Sequence, residues 1–384
     1  MPLYLTSVRI FCAVIATASV VQFGTSVALA QSSPSLVQMG KPTAITSSDY
    51  GLRKGSLIVA PVPFSNPMIG KGLAIGAGYL FTLPGSKPSG FGIGKMKSSN
   101  GSSGLAAAGA VSFAEGTWDV SVLAGEADVY YDLVFKGLDV PVRHNGTLIA
   151  FSVERAASQN LSFGVDLEYL ETSLALNSPV FQQLPELLKP QAELDMTKIT
   201  LNATYDTRDN TFFPTSGMLA SAKIGYALDV SSILQGGLEL ERNRYNKSIF
   251  SLASYHEVGN TGVLAARGVL CSSSSQAPFF DNCGIGLASG LRGFPTMEFI
   301  DEASATAQVE YRGRINDRFG YVAFAAIGGG GPKISSLSLN EGGVSFGAGL
   351  RIRLSKKYKL DYAIDYAQNN NSEGYLYITL GQKF

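Results

Sequence analysis

From Tyr358 onward the chain alternates strictly, with Tyr358, Leu360, Tyr362, Ile364 and Tyr366 on one face and Lys359, Asp361, Ala363, Asp365 and Ala367 on the other. A period of two marks a β-strand, and a segment of this length is what a tilted strand needs to cross a bilayer. The preceding segment repeats the rule, setting Val344, Phe346, Ala348, Leu350 and Ile352 against Ser345, Gly347, Gly349, Arg351 and Arg353. Further upstream, Ile199, Leu201, Ala203 and Tyr205 oppose Lys198, Thr200, Asn202, Thr204 and Asp206. A soluble sandwich also alternates, but both of its sheets must fill one core with bulky side chains. Here the face opposite the apolar one carries Gly, Ser, Thr and full charges, which suits a wet lumen. Lipid offers no partner to a free backbone group, so a membrane sheet must close on itself. The pattern therefore predicts an all-β fold, a transmembrane antiparallel β-barrel.

The same alternation places strands at 55–64, 71–83, 104–114, 117–133, 147–157, 160–172, 196–206, 217–230, 236–246, 247–257, 262–270, 303–314, 318–328, 341–353, 358–368 and 374–384. That is 16 strands if 236–257 holds two, and fifteen if it holds one. Both termini on the periplasmic side require an even number. Sixteen is therefore expected, and a count of fifteen would mean a missed strand inside 31–54 or the Gly/Ser-rich 84–103.

Upstream of the barrel the pattern changes. Arg9 precedes an apolar run from Ile10 to Val21, and Ala28-Leu29-Ala30 gives the small residues a signal peptidase reads. Residues 1–30 are predicted to be a signal peptide and 31–54 a linker or a short lumen plug, leaving 55–384 as the barrel. The linker is too short for an independent folded domain. Thirty basic residues balance thirty acidic ones, so nothing points to nucleic acid. Cys12 leaves with the signal, and the remaining Cys271 and Cys283 are expected to form a disulfide in an oxidising compartment. His144 and His256 stand far apart, with no metal-spaced Cys/His cluster, nucleophile elbow or phosphate loop. No cofactor and no enzyme activity are expected; a hydrolase built on either histidine with a wall serine is the alternative. The glycine runs Gly90-Phe91-Gly92-Ile93-Gly94 and Gly328 to Gly331 read as flexible loops.

Four stretches carry a resemblance. Pro63-Phe64-Ser65-Asn66-Pro67 leads into Gly70-Lys71-Gly72-Leu73, and Tyr205-Asp206-Thr207-Arg208-Asp209-Asn210 runs into Phe212-Phe213-Pro214-Thr215-Ser216-Gly217. Leu291-Arg292-Gly293-Phe294 precedes Gln308-Val309-Glu310-Tyr311-Arg312, and the chain closes on Ile378-Thr379-Leu380-Gly381-Gln382-Lys383-Phe384. Together they resemble the bacterial surface antigen family, whose sixteen-stranded barrel is shared with the core subunit of the barrel assembly machinery. The barrel-only branch, without periplasmic POTRA domains, is the nearer likeness.

The resemblance implies that the loop carrying Leu291, Arg292, Gly293 and Phe294 is extracellular and folds back into the lumen, where Arg292 meets acidic wall residues. Alternation aims Glu310 inward, making it the natural partner. A second carboxylate, usual in a Phe-x-Asp-x-Gly context, is missing from Phe324-Ala325-Ala326-Ile327-Gly328. The Phe213, Pro214 and Gly217 stretch reads as a turn, with Pro fixing φ and Gly supplying positive φ. Alternating Ile378 and Leu380, with Gly381 and a terminal Phe384, resembles the sorting signal that the assembly machinery reads on its clients.

Three functions follow as alternatives. One is an assembly or translocation barrel, whose first and last strands part for an unfolded protein client. The second is a passive channel tuned by Arg351, Arg353, Asp361, Asp365 and Lys383, and the third a structural surface antigen. Outer-membrane lipid, the assembly machinery and an unfolded client are the expected partners.

Overall fold

The computed structural model describes residues 51–66, 69–135, 138–177, 191–234, 238–240, 244–277, 281–285, 291–294, 299–382 and 384. The predicted signal peptide, residues 1–30, and residues 31–50 of the predicted linker lie outside the described residues. Among the described residues, sixteen long strands form one antiparallel meander. They are β1 (Ser56–Asn66), β2 (Gly70–Thr82), β3 (Pro88–Ser98), β4 (Ser103–Phe113), β5 (Trp118–Phe135), β6 (Leu138–Ala156), β7 (Leu161–Leu176), β8 (Gln191–Asp206), β9 (Gly217–Leu234), β10 (Asn246–Val258), β11 (Gly262–Ser273), β12 (Ala303–Arg314), β13 (Phe319–Gly331), β14 (Ser338–Ser355), β15 (Leu360–Asn369) and β16 (Gly374–Leu380). Each pairs with the next, from Ser56 opposite Leu80 in the first hairpin to Tyr362 opposite Leu380 in the last.

Burial is inverted relative to a water-soluble protein. Leu57, Ile75, Phe91, Phe151, Leu201, Phe346 and Leu350 are exposed on the outer surface, whereas Arg292, Glu310, Arg312, Arg351 and Asp361 are buried inside. A large continuous apolar exterior is stable only in lipid. Ser56 and Leu380, where the barrel begins and ends, lie at one end, which makes that end periplasmic, and the long 274–302 connection opens on the opposite side.

The predicted count stands but its membership changes. Pro88–Ser98 is a strand, with Phe91 and Ile93 facing lipid and Gly90, Gly92 and Gly94 facing the lumen. Its glycines hid it, because an apolar–glycine alternation reads as a loop when the inward face carries no side chains. Gly328 to Gly331 likewise lie within β13. In the predicted strand 236–246, Leu238–Leu240 fold back on Ile233 and its neighbours as an extracellular extension of β9, and Asn246 already opens β10. The final strand ends at Leu380, not at 384. Within the linker, Leu52–Lys54 form one 3-10 turn, and Gly51 N donates to Thr82 O at 2.8 Å at the periplasmic rim.

Candidate functional site: a charged lumen node and an unzipped seam

β12 alternates Ser304, Thr306, Gln308, Glu310 and Arg312 into the lumen. The 274–302 loop dips in to meet them. Leu291 and Phe294 bury against Ile285 and Ala326, an apolar grip on either side of Arg292. Arg292 is fully buried, so its charge must be met by protein. Nη2 lies 2.5 Å from Glu310 Oε2 and Nη1 lies 2.5 Å from Asp365 Oδ2. Its Cζ sits 3.4 Å from the centroid of the Phe324 ring, a cation–π contact. The Arg292 carbonyl accepts from Ser345 Oγ, and Gly293 N donates to Tyr377 Oη at 2.8 Å. Gly293 has φ 101°, and a Cβ there would stand 2.6 Å from Ser345 Cβ, so both backbone shape and space demand glycine.

The node continues along the wall. Five guanidiniums, those of Arg292, Arg312, Arg314, Arg351 and Arg353, share the carboxylates of Glu310, Asp361 and Asp365. Arg351, Arg353, Asp361 and Asp365, which the passive-channel alternative set along an ion path, pair with each other. Lys383 lies outside the described residues. Asp365 takes the role of the carboxylate missing at Ala326. Alternation in the sequence shows only that Asp365 faces inward, not how far round the wall a guanidinium reaches.

Two further ties hold the loop. Cys271 on β11 and Cys283 are disulfide-bonded. Asp281, in the loop, accepts from Lys198 Nζ at 2.9 Å, Lys247 Nζ at 3.0 Å and Tyr245 Oη. Burial alone would raise its pKa, but the two ammonium groups and the phenol outweigh burial and hold the carboxyl well below the usual carboxylate range. His144 is buried between Tyr131 Oη and Thr172 Oγ1, a hydroxyl on each ring nitrogen.

Strands β1 and β16 run side by side, yet among the described residues no ladder joins them. The sequence of β1 accounts for this. Tyr362 Oη, reaching across from β15, donates to Pro61 O at 2.7 Å, so the backbone polar groups of Pro61 face the seam. Two residues on, Pro63 faces the same way. Proline has no N–H, so two successive donor positions on this edge are blank.

A model of the Omp85 superfamily domain matches residues 91–384. The chain belongs to the Omp85 superfamily. No curated protein sequence matches it. Among solved structures, CdiB from Acinetobacter baumannii aligns with a TM-score of 0.53 at 10% identity, covering 85% of this chain and 59% of its own. CdiB from Escherichia coli gives 0.54 at 13%, covering 85% and 61%. BamA from Haemophilus ducreyi lacking POTRA domains 1-3 gives 0.53 at 14%, covering 96% and 81%. At these identities the likeness is one of fold, and the chain spans about three fifths of the CdiB chains.

This Omp85 protein is an outer-membrane β-barrel. Its turn at 207–216, which contains Phe213 and Pro214, is more than a connector. Asn210 Oδ1 accepts from Phe212 N and Phe213 N, and Asp209 caps Thr215 and Ser216, which turns both rings into the barrel. Gly217, with φ 92°, packs on the backbone of Thr207 with no space for a Cβ. Ile378 and Leu380 lie on β16, but Gly381, with φ 85°, redirects the tail inward. Phe384 then packs beside Phe213 and Tyr255, and Arg312 Nη2 donates to its carbonyl.

Proposed function

We propose that this barrel inserts or translocates unfolded outer-membrane polypeptides, and that the β1/β16 seam is its working part. The observation that carries the proposal is the blank edge at Pro61 and Pro63. A closed barrel ordinarily zips its last strand to its first by backbone bonds; here side-chain contacts do that work, so parting the strands sacrifices few bonds. Leu57 and Val59, on the same edge below the prolines, keep their N–H groups for an incoming strand.

Ile378, Leu380, Gly381 and Phe384 act earlier, marking the unfolded chain for the barrel assembly machinery before Gly381 tucks the tail away. Residues 1–30 serve export, and 31–54 tether or partly plug the periplasmic mouth. The Arg292 loop keeps the lumen closed to solutes while the seam moves.

The test is client insertion into liposomes containing the purified protein, read by the heat-dependent gel shift of a folded client barrel. Replacing Pro61→Val and Pro63→Thr together restores both donors and should lower the insertion rate several-fold by sealing the seam. Unchanged insertion with both donors restored would sink the proposal.

A further inference from the structure

We propose that the β8–β9 turn is a latch on the seam: it crosses the periplasmic mouth and holds β1 and β15–β16 together until displaced. The inference rests on the seam being the working part and assigns what controls it.

Connections between antiparallel strands usually need two to five residues. This one, at 207–216, is longer and places two adjacent phenylalanines at the wet end of a barrel. Water should repel them, yet both are buried. Phe212 belongs to a cluster with Leu80 on β2, Tyr358 in the β14–β15 turn and Leu360 on β15, with Ile58 of β1 packed against it. Ile58 and Leu80 stand on one side of the seam, and Tyr358 and Leu360 on the other. The Phe212 and Tyr358 rings meet edge to face, with centroids 6.4 Å apart.

Strands β8 and β9 lie half a barrel away from the seam in the order of pairing, so the turn must span the mouth to reach this cluster. Its internal hydrogen bonds make it a preformed arm rather than a loose loop. Phe213, next in sequence, lies under the guanidiniums of Arg314 and Arg353 and packs beside Phe384 of the tail that follows β16. Across the seam itself, Tyr358 Oη donates to Leu80 O at 3.3 Å and Lys357 Nζ to Lys54 O at 2.8 Å. With the ladder missing between β1 and β16, the Phe212 cluster is the apolar seal at this end. A polypeptide arriving from the periplasm meets the arm first, and an apolar segment competing for the Phe212 site would release the seam.

The test measures seam width without a client. Cysteines placed at Val59 and Leu376, both lipid-facing, are spin-labelled while Cys271 and Cys283 stay oxidised, and electron–electron distances are recorded in liposomes. The otherwise unaltered barrel should give one narrow distance. Phe212→Ala should raise the fraction of a longer distance at least several-fold, and Phe212→Leu should largely restore the narrow one. A folded Phe212→Ala barrel, verified by its gel shift, with an unchanged distribution would overturn the latch. If Phe212→Ala does not fold, Asn210→Ala removes the acceptor that fixes Phe212 N and Phe213 N in the arm and should widen the seam less but in the same direction; no widening there overturns it too. Widening without faster client insertion would leave the latch standing and remove the insertion function. Faster insertion with no widening would do the reverse.

Discussion

Arg292 reaches Asp365, on the strand before last, at 2.5 Å, while the wall position beside Glu310's strand that could have held a second carboxylate is Ala326. Two carboxylates on distant strands therefore share one guanidinium. Glu310→Gln and Asp365→Asn should each cost about 1–3 kcal/mol, because each leaves a donor partly unmet while the other carboxylate still compensates. The double variant should exceed the sum of the singles, with a coupling of roughly 0.5–3 kcal/mol. Urea unfolding in lipid vesicles measures all three, and strictly additive costs would refute a shared charge.

Gly293→Ala places a Cβ against Ser345 in a backbone conformation that alanine resists. The loop should then leave its seat. In planar bilayers the native barrel should conduct weakly, with the variant showing larger or more frequent openings. A native barrel with a steady, wide pore would instead support the passive channel.

The bond between Cys271 and Cys283 closes a loop of sequence separation 12. By the chain-entropy account a loop this short stabilises by about 3 kcal/mol. Reduction should add two hydrogens by intact mass and sensitise 274–302 to external protease, with the strands left intact. Equal cleavage rates before and after reduction would contradict that anchoring role.

Asp281 supplies a pH dependence with a definite sign. Its folded-state pKa lies below that of the unfolded chain, so its stabilisation is fully present above the ordinary aspartate pKa of about 3.9 and is lost as pH falls through the folded value. Hydrogen-exchange protection of the loop, taken relative to the intrinsic rate at each pH, should fall on acidification below about pH 4. Asp281→Asn should flatten that dependence; an identical acid response in the variant would assign it elsewhere.

Much of the barrel was legible because lipid and lumen impose opposite chemistry on successive residues, so alternation identifies a wall wherever both faces carry side chains. It fails at Pro88–Ser98, where the lumen face is glycine, and at Gly381, where a single backbone angle ends a pattern that formally continues to Phe384. Glu310 was found because its inward orientation follows from its own strand. Asp365 needed the shear of the whole barrel, and Phe212 needed the span of its mouth. Neither quantity is local, and neither leaves a period in the sequence.

A strand edge left open in a crowded bilayer is a front on which further chains can grow, a second copy of the same protein among them. Pro61 and Pro63 make that front a poor template for its own kind. Two copies meeting edge to edge would each bring the same gap, doubling the unmet carbonyls in a medium that cannot solvate them. A strand with a full set of donors brings only one gap to the junction. The blank edge thus discriminates against polymerisation while remaining open to guests.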